Sequence, residues 1–142
     1  MTEEIIMRPI GRIETPFKTR DSLNIPPYMP EAPCHNPDVT GIVHIFDEYR
    51  EGIADIEPGS YAMLVFHFDR SEGYDLTTES PRFDVPVGVF STRSPNRPNG
   101  IGVSVVQFTA IDGGNLTFWG VDMLNDTPLL DIKPYNAKHT AD

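Results

Sequence analysis

The sequence contains a single cysteine, Cys34, so no disulfide bond can form within the chain. It has no apolar run close to the roughly 20 residues that a membrane-spanning helix needs. The first residues, MTEEIIMRPIG, lack the basic start and apolar centre of a signal peptide. Together these absences predict a protein of the reducing cytoplasm that makes no contact with a membrane.

Basic residues are scarce. The sequence has 11 Lys and Arg residues but 21 Asp and Glu residues, which gives a net charge of −10. Proteins that hold nucleic acid mainly through its phosphates are usually basic. The charge balance therefore argues against broad affinity for nucleic acid. It is compatible with a local basic patch, which Arg82, Arg93 and Arg97 could form.

The usual spacings of metal and nucleotide sites are missing. The four histidines are scattered, no CxxC or HxxxH pair occurs, and Cys34 beside His35 is not a zinc pattern, so we predict no metal. The sequence has no GxSxG, no GxxxxGK[ST] loop and no GxGxxG that opens a helix. A Rossmann-type cofactor site is therefore disfavoured.

Apolar patterns predict many short strands. With 14 prolines and 11 glycines, the 142 residues favour strands and turns over long helices. Predicted strands span 5–13, 41–46, 61–68, 85–90, 103–111, 116–121 and 129–132. The strand 61–68 (YAMLVFHF) is predicted to be buried on both faces, since it is apolar almost throughout.

The remaining elements complete one domain over residues 1–142. A short helix is predicted at 47–56 with Asp47 as its N-cap, and Asp112–Asn115 is predicted to form a hairpin turn. The proline-rich stretch 19–40 is predicted to be a long ordered loop. We therefore predict an all-β fold, a small antiparallel β-barrel with one short helix and long ordered loops.

The segment with the most chemistry is GVFSTRSPNRPNGIG, residues 88–102. Arg93 and Arg97 offer two permanently charged donor forks, and two prolines stiffen the backbone that carries them. Gly100 and Gly102 allow unusual dihedral angles or a close approach of a ligand to the backbone. The pattern predicts a rigid polar cradle for a ligand with carboxylate, phosphate or adenine-like groups. The competing interpretation is a stiff hairpin loop whose arginines form surface salt bridges.

Two other features have both a functional and a structural interpretation. In LNDTPLLDIKPY, residues 124–135, a turn at Asp126 precedes Asp131 and Lys133, which share one side of an extended segment. These two residues could pair with each other or with the arginines. His67 ends an apolar strand, where a histidine is more often a hydrogen-bonded structural residue than a catalyst.

Several motifs together resemble those of the TrmO/TsaA-like (YaeB-like) family. They are Ile10-Gly11, Thr15-Pro16-Phe17, Thr92-Arg-Ser-Pro95, Arg97-Pro-Asn99, Ile101-Gly102, Asp126-Thr-Pro128 and Asp131-Ile-Lys-Pro-Tyr135. The resemblance runs over nearly the whole chain. It implies a small β-barrel that binds S-adenosylmethionine and a homodimer with the cofactor site near the subunit interface. The activity it implies is N6-methylation of threonylcarbamoyladenosine at tRNA position 37.

Carried over by position, the resemblance implies a cofactor site built from four parts of the chain. These are Pro27, Tyr28 and Met29 in the proline-rich loop; His67 and Phe68; Arg93, Ser94, Arg97 and Val103; and Leu124, Asn125, Asp126 and Thr127. The substrate contacts assigned are Arg97, Asn99, Asp131, Lys133 and Tyr135. No catalytic base is assigned, because methyl transfer from a sulfonium needs mainly alignment and exclusion of water.

The residue chemistry agrees with this cofactor, since arginine forks suit its carboxylate and Asp126 suits its ammonium or ribose hydroxyls. Two alternatives remain open. One is a methyltransferase of a small molecule, favoured by the acidic charge and by Tyr28-Met29 where the family has Arg-Gln. The other is a non-catalytic module that binds the cofactor or a partner. A tRNA enzyme should carry its arginines on one face of the dimer, whereas a small-molecule enzyme should have a closed pocket.

Overall fold

The computed structural model describes residues 3–19, 39–79 and 84–136. These ranges contain strands β1 (Gly11–Glu14), β2 (Thr40–Ile45), β3 (Tyr61–His67), β4 (Thr77–Thr78), β5 (Val87–Gly88), β6 (Ile101–Asp112), β7 (Asn115–Trp119) and β8 (Thr127–Pro134). Two short 3-10 helices occur with them, Asp47–Ile53 after β2 and Val89–Ser91 after β5. The predicted site residues Pro27, Tyr28 and Met29 lie outside the described residues, as does Arg82.

Six of the strands close into an antiparallel barrel in the order β1-β2-β7-β6-β3-β8, and β8 pairs with β1. Strands β4 and β5 form a separate two-stranded ladder. The β3–β6 ladder runs from Tyr61 opposite Gln107 to His67 opposite Ile101. Closing a sheet on itself pairs its edge strands with each other. The predicted small antiparallel barrel is confirmed.

The core lies inside the barrel and is built by side chains that alternate along the strands. Ile13, Leu64, Phe108 and Phe118 are fully buried there. Strand β3 has the same alternation, with buried positions at every second residue, exposed ends and half-buried positions between. The prediction that this strand is buried on both faces was wrong, because a barrel strand turns one face to the core and the other outward.

Several predicted boundaries differ from those observed. The predicted helix 47–56 is a 3-10 helix over Asp47–Ile53, and its N-cap is Phe46 without a side-chain cap. Asp47 instead pairs with Arg50 at 2.7 Å, one turn further along. The apolar stripe that predicted the helix is real, since Ile53 is buried in the core. The predicted strand 85–90 is a short β5 followed by a 3-10 turn, and β1 begins at Gly11 rather than at residue 5.

The predicted hairpin turn between β6 and β7 is confirmed, with Asp112 paired to Asn115 across two glycines. Gly113 has a φ of 61°, in the left-handed region that glycine adopts without steric cost. Strand β6 therefore returns directly into β7, and its other end, at Ile101, meets the end of β3. No helix within the described ranges is long and apolar enough to cross a membrane.

Candidate functional site

The candidate site lies at the end of the barrel where β3 stops and β6 begins. His67 is opposite Ile101, and the N–H of Phe68 donates to the carbonyl of Gly100 over 2.7 Å. The Phe68 ring packs edge-on against Phe66, with 5.3 Å between ring centres. A Cβ at Gly102 would lie 2.5 Å from Phe66 and 2.6 Å from Phe68, so only glycine leaves these rings in place. The space beside the Gly102 backbone is therefore filled by two aromatic side chains of the protein, and the close approach of a ligand stays a prediction.

The loop before β6 is held by its own side chains. Thr92 Oγ1 donates to the carbonyl of Val89 over 2.8 Å and accepts from the N–H of Ser94 over 3.2 Å. Ser94 Oγ in turn accepts from the N–H of Asn96 over 3.2 Å. Such hydroxyl-to-backbone bonds fix successive turns. The predicted rigid cradle thus gains stiffness from Thr92 and Ser94 as well as from proline.

The two arginines of the loop donate to backbone carbonyls. Arg97 Nη1 donates to Thr92 O over 2.9 Å and to Ser94 O over 3.1 Å, which holds its half-buried guanidinium against the loop. Arg93 Nη2 donates to the carbonyl of Val103 on β6, and its side chain is exposed. Neither guanidinium forms a salt bridge with a described residue, and a ligand cradle stays a prediction.

An open cleft of about 180 Å³ lies between this loop and the segment that follows β3. The residues that line it are His67, Phe68, Ser71, Gly73, Tyr74, Pro95, Arg97, Pro98 and Gly100. Small-molecule sites usually measure about 300–1,000 Å³. This cleft is therefore smaller than a typical small-molecule site.

The loop 124–127 is anchored to the same end of the barrel. The N–H of Asp126 donates to Ile13 O over 2.7 Å, and the N–H of Thr15 donates to Asn125 Oδ1 over 3.0 Å. Arg70 Nη2 reaches across to Thr127 Oγ1 over 3.0 Å, which ties this loop to the segment that lines the cleft. Asp126 is exposed and has a φ of 64°, a left-handed conformation that Asp tolerates better than most residues.

A half-buried residue with a carboxyl group lies near Arg93. Asp122, in the connection from β7 to β8, accepts a hydrogen bond from the buried hydroxyl of Ser104 over 2.5 Å. Burial raises the pKa of Asp122 above its usual 3.8, while the Ser104 bond and the charge of Arg93 act in the opposite direction. Ser104 directly follows Val103, and the Val103 carbonyl accepts a hydrogen bond from Arg93. Arg93, Val103, Ser104 and Asp122 therefore form one connected cluster.

The structure therefore brings one group of predicted site residues to the same end of the barrel. This group comprises His67, Phe68, Arg93, Ser94, Arg97, Asn99, Val103, Leu124, Asn125, Asp126 and Thr127. Asp131 and Lys133 lie elsewhere, on β8 opposite Val65 and Met63, and they pair with each other at 3.3 Å. The N–H of Tyr135 donates to Tyr61 O at the far end of β3 from His67. Substrate contacts at these three residues stay a prediction.

Sequence reasoning did not single out Tyr74, Asp122, Ser104 or Arg70. Asp122 could have been noticed, because it is a lone carboxylate between Val121 and Met123 in an apolar stretch. Tyr74 is a single aromatic residue in a polar segment, so no periodic or motif pattern in the sequence marks it as a site residue. The Arg70–Thr127 contact joins residues 57 positions apart, which no local pattern reports.

The known proteins that this chain is similar to are named as tRNA methyltransferases or as S-adenosylmethionine-binding proteins. The profile of the tRNA-methyltransferase O N-terminal domain matches residues 12–141. A Pyrococcus abyssi protein named "Probable S-adenosyl-L-methionine-binding protein" is 43% identical over 131 residues, which are 92% of this chain and 68% of that protein. The mouse tRNA (adenine(37)-N6)-methyltransferase is 34% identical over 139 residues, which are 95% of this chain but 32% of that enzyme. The crystal structure of TrmO from Pseudomonas aeruginosa superposes with a TM-score of 0.75 at 31% identity, covering 99% of this chain and 60% of that one.

Proposed function

The chain belongs to the family of the tRNA-methyltransferase O N-terminal domain, and from this premise we propose that it transfers the methyl group of S-adenosylmethionine to N6 of threonylcarbamoyladenosine at tRNA position 37. The observation that carries the proposal is the open cleft between the arginine-bearing loop and Phe68. The relatives named for S-adenosyl-L-methionine binding and for adenine-37 methylation support it. The chain spans about a third of the mouse enzyme, so the acceptor is part of the proposal.

Residues at this end of the barrel fit the chemical groups of the cofactor. Arg93 and Arg97 supply charge and donor forks for the cofactor carboxylate. Asp126, exposed on the anchored loop, supplies an acceptor for ribose hydroxyls or for the ammonium group. Phe68 supplies aromatic surface for the cofactor adenine or for the positively charged sulfonium. Each polar group of the cofactor thus has a residue of matching chemistry at this end of the barrel.

The proposed reaction requires little acid–base catalysis by the protein. When bound, the cofactor would supply an electrophilic methyl group and depart as a neutral thioether, while the acceptor N6 exchanges its proton for the methyl group and releases that proton to solvent. The chain has to hold the acceptor nitrogen in line with that methyl group and keep water away. The hydrogen bonds within residues 92–96 favour this role, because they fix the cradle before any ligand arrives.

We also propose that the functional form is a homodimer whose second subunit covers part of the cofactor. The small size of the cleft in one chain supports this. So does the outer face of β3 and β6 beside it, where Met63, Val65, Val103 and Val105 form neighbouring pairs of half-buried apolar residues. Sedimentation velocity with and without cofactor tests the proposal, and a monomer under both conditions would contradict it.

The open cleft favours a large acceptor over a small molecule, because a closed pocket is expected for the latter. The deciding experiment titrates the protein with S-adenosylmethionine by calorimetry and then supplies tRNA that carries threonylcarbamoyladenosine. Nucleoside mass spectrometry reads out N6-methylation, and the same tRNA without the threonylcarbamoyl group is the control. Cofactor binding with methylation of the modified tRNA alone is expected. Binding without turnover would favour a small-molecule acceptor or a binding module, and no binding would contradict the whole assignment.

A further inference from the structure

Beside the cleft, the β4–β5 ladder carries a group of exposed apolar side chains. Its two arms, residues 74–79 and 84–90, are here termed the flap; they are joined by strand pairing and by a 2.8 Å bond from Val89 N–H to Leu76 O. Its large exposed apolar residues, with their exposed fractions, are Tyr74 (55%), Leu76 (62%), Val85 (63%) and Phe90 (74%). Apolar residues that gather on one surface element mark interaction sites, whereas scattered ones do not.

Phe90 does not line the cleft itself, but its ring contacts a residue that does. The guanidinium carbon of Arg97 lies over the Phe90 ring, 6.0 Å from its centre, which is within cation–π distance. Arg97 lines the cleft and is fixed by two loop carbonyls. The ring is therefore held next to the cleft with most of its surface uncovered. Tyr74, on the other arm of the flap, lines the cleft directly.

The charges around the flap restrict what can bind to it. Glu72, Asp75, Glu79 and Asp84 are all exposed on or next to its two arms. These carboxylates repel phosphate groups, so attachment through a nucleic-acid backbone is disfavoured here. Stacking of a base on an aromatic ring does not need phosphate contacts, because every base offers a π-face. Unpaired bases in RNA loops are recognised in this way.

We propose that Tyr74 and Phe90 form a stacking platform for two neighbouring unpaired bases of an RNA loop. The base that receives the methyl group lies against Tyr74 in the cleft, and the next base lies on the free face of Phe90. This inference rests on the proposed function for the kind of acceptor. A base that leaves its helical stack loses stacking energy, and the two rings replace it. Recognition by rings explains how a chain with a net charge of −10 holds RNA at this surface.

The test compares variants that keep or remove a ring. A fluorescent tRNA anticodon stem–loop carrying threonylcarbamoyladenosine is titrated with the full chain saturated with S-adenosylhomocysteine. Phe90→Leu and Tyr74→Leu remove a ring but keep an apolar side chain, and Phe90→Trp keeps an aromatic one. Leu76→Ser, on the same flap, is the matched control. Each Leu variant should bind the RNA about 5- to 100-fold more weakly, whereas Phe90→Trp and Leu76→Ser should stay within about twofold of the parent.

The outcomes separate the platform from the proposed reaction. Ring-dependent RNA binding without methylation would leave the platform in place and contradict methyl transfer to tRNA. Equal RNA affinity for the parent and Phe90→Leu would overturn the platform even if the RNA is methylated. An equal loss with Leu76→Ser, or no RNA binding by the parent, would also overturn it. A change of oligomeric state in Phe90→Leu would overturn it too, and would assign the flap to a contact between protein chains.

Discussion

The carboxyl group of Asp122 accepts a 2.5 Å hydrogen bond from the Ser104 hydroxyl, and this pair joins the β7–β8 connection to strand β6. Ser104 is buried and adjoins Val103, whose carbonyl accepts from Arg93. Burial raises the pKa of Asp122, while the Ser104 bond and the Arg93 charge partly offset this. A half-buried acid close to Arg93 makes both the stability and the charge of this end of the barrel depend on pH.

The first prediction concerns Asp122→Asn, which keeps the shape and the acceptor oxygen but cannot ionise. Because the folded pKa of Asp122 is raised, the folded state binds its proton more tightly than the unfolded state does. The parent should therefore lose stability relative to Asp122→Asn as the pH rises above about 3.8. The difference should become constant once the pH passes the folded pKa. Urea unfolding of both proteins between pH 3.5 and about 8 measures it.

The test is how the difference in unfolding free energy between the parent and Asp122→Asn changes with pH. A difference that is flat across the range, or one that favours the parent at higher pH, would contradict a raised pKa at Asp122. Ser104→Ala is the matched control, because it removes the bond that lowers the pKa of Asp122. In that background the pH at which the difference levels off should move upward.

The second prediction compares Gly102→Ala with Gly100→Ala. A Cβ at Gly102 would overlap the Phe66 and Phe68 rings at 2.5–2.6 Å, whereas one at Gly100 would meet Phe68 at an ordinary 3.5 Å. Gly102→Ala should lower the free energy of unfolding by about 1–3 kcal/mol, as overpacking of a core does. It should also weaken cofactor binding, because Phe68 lines the cleft. Gly100→Ala should be neutral or stabilising by up to about 1 kcal/mol. Equal stability of the two variants in urea would contradict the prediction.

The third prediction separates the backbone of Asp126 from its charge. Asn tolerates the left-handed φ of 64° nearly as well as Asp does, so Asp126→Asn should change the stability by less than about 0.5 kcal/mol. It should weaken cofactor binding by about 1.5–3 kcal/mol if the carboxylate holds the ribose or the ammonium. Asp126→Val should instead cost about 1–2 kcal/mol of stability through backbone strain. Calorimetry and urea unfolding read the two effects separately. Unchanged affinity in Asp126→Asn would remove the carboxylate from the site.

Much of the barrel was predictable because strand patterns are local. Alternation in β2 and β7 and the two glycines between Asp112 and Asn115 report structure over a few residues. The helix 47–56 was misjudged in type because its apolar stripe fits both helix types, and only the backbone geometry at Phe46 shows the cap. The last residues of the strand predicted at 85–90 instead form a 3-10 turn. In this turn the Thr92 hydroxyl donates a hydrogen bond to the carbonyl of Val89.

The site was predictable where its chemistry is concentrated in one segment. Arg93 and Arg97 stood out because they are crowded with proline and glycine. Asp122 and Arg70 did not, because their roles come from Ser104 and Thr127, which are distant in sequence. Asp131 and Lys133 share one side of β8, as their spacing indicates, but spacing alone cannot tell the outer face near Val65 from the cleft.

The last prediction concerns Arg93. Its guanidinium carries a charge beside the cluster of Val103, Ser104 and Asp122, and its side chain is exposed, so Arg93→Ala should change stability little but weaken cofactor binding. The expected loss is about 1.5–3 kcal/mol, the range of a charge-assisted hydrogen bond. Arg50→Ala is the control, because Arg50 lies beside Gly114 at the β6–β7 turn, at the other end of β6. Calorimetry that shows equal affinities for Arg93→Ala and Arg50→Ala would exclude Arg93 from the site. Loss of its charge should also raise the pKa of Asp122 further, because that charge opposes the effect of burial.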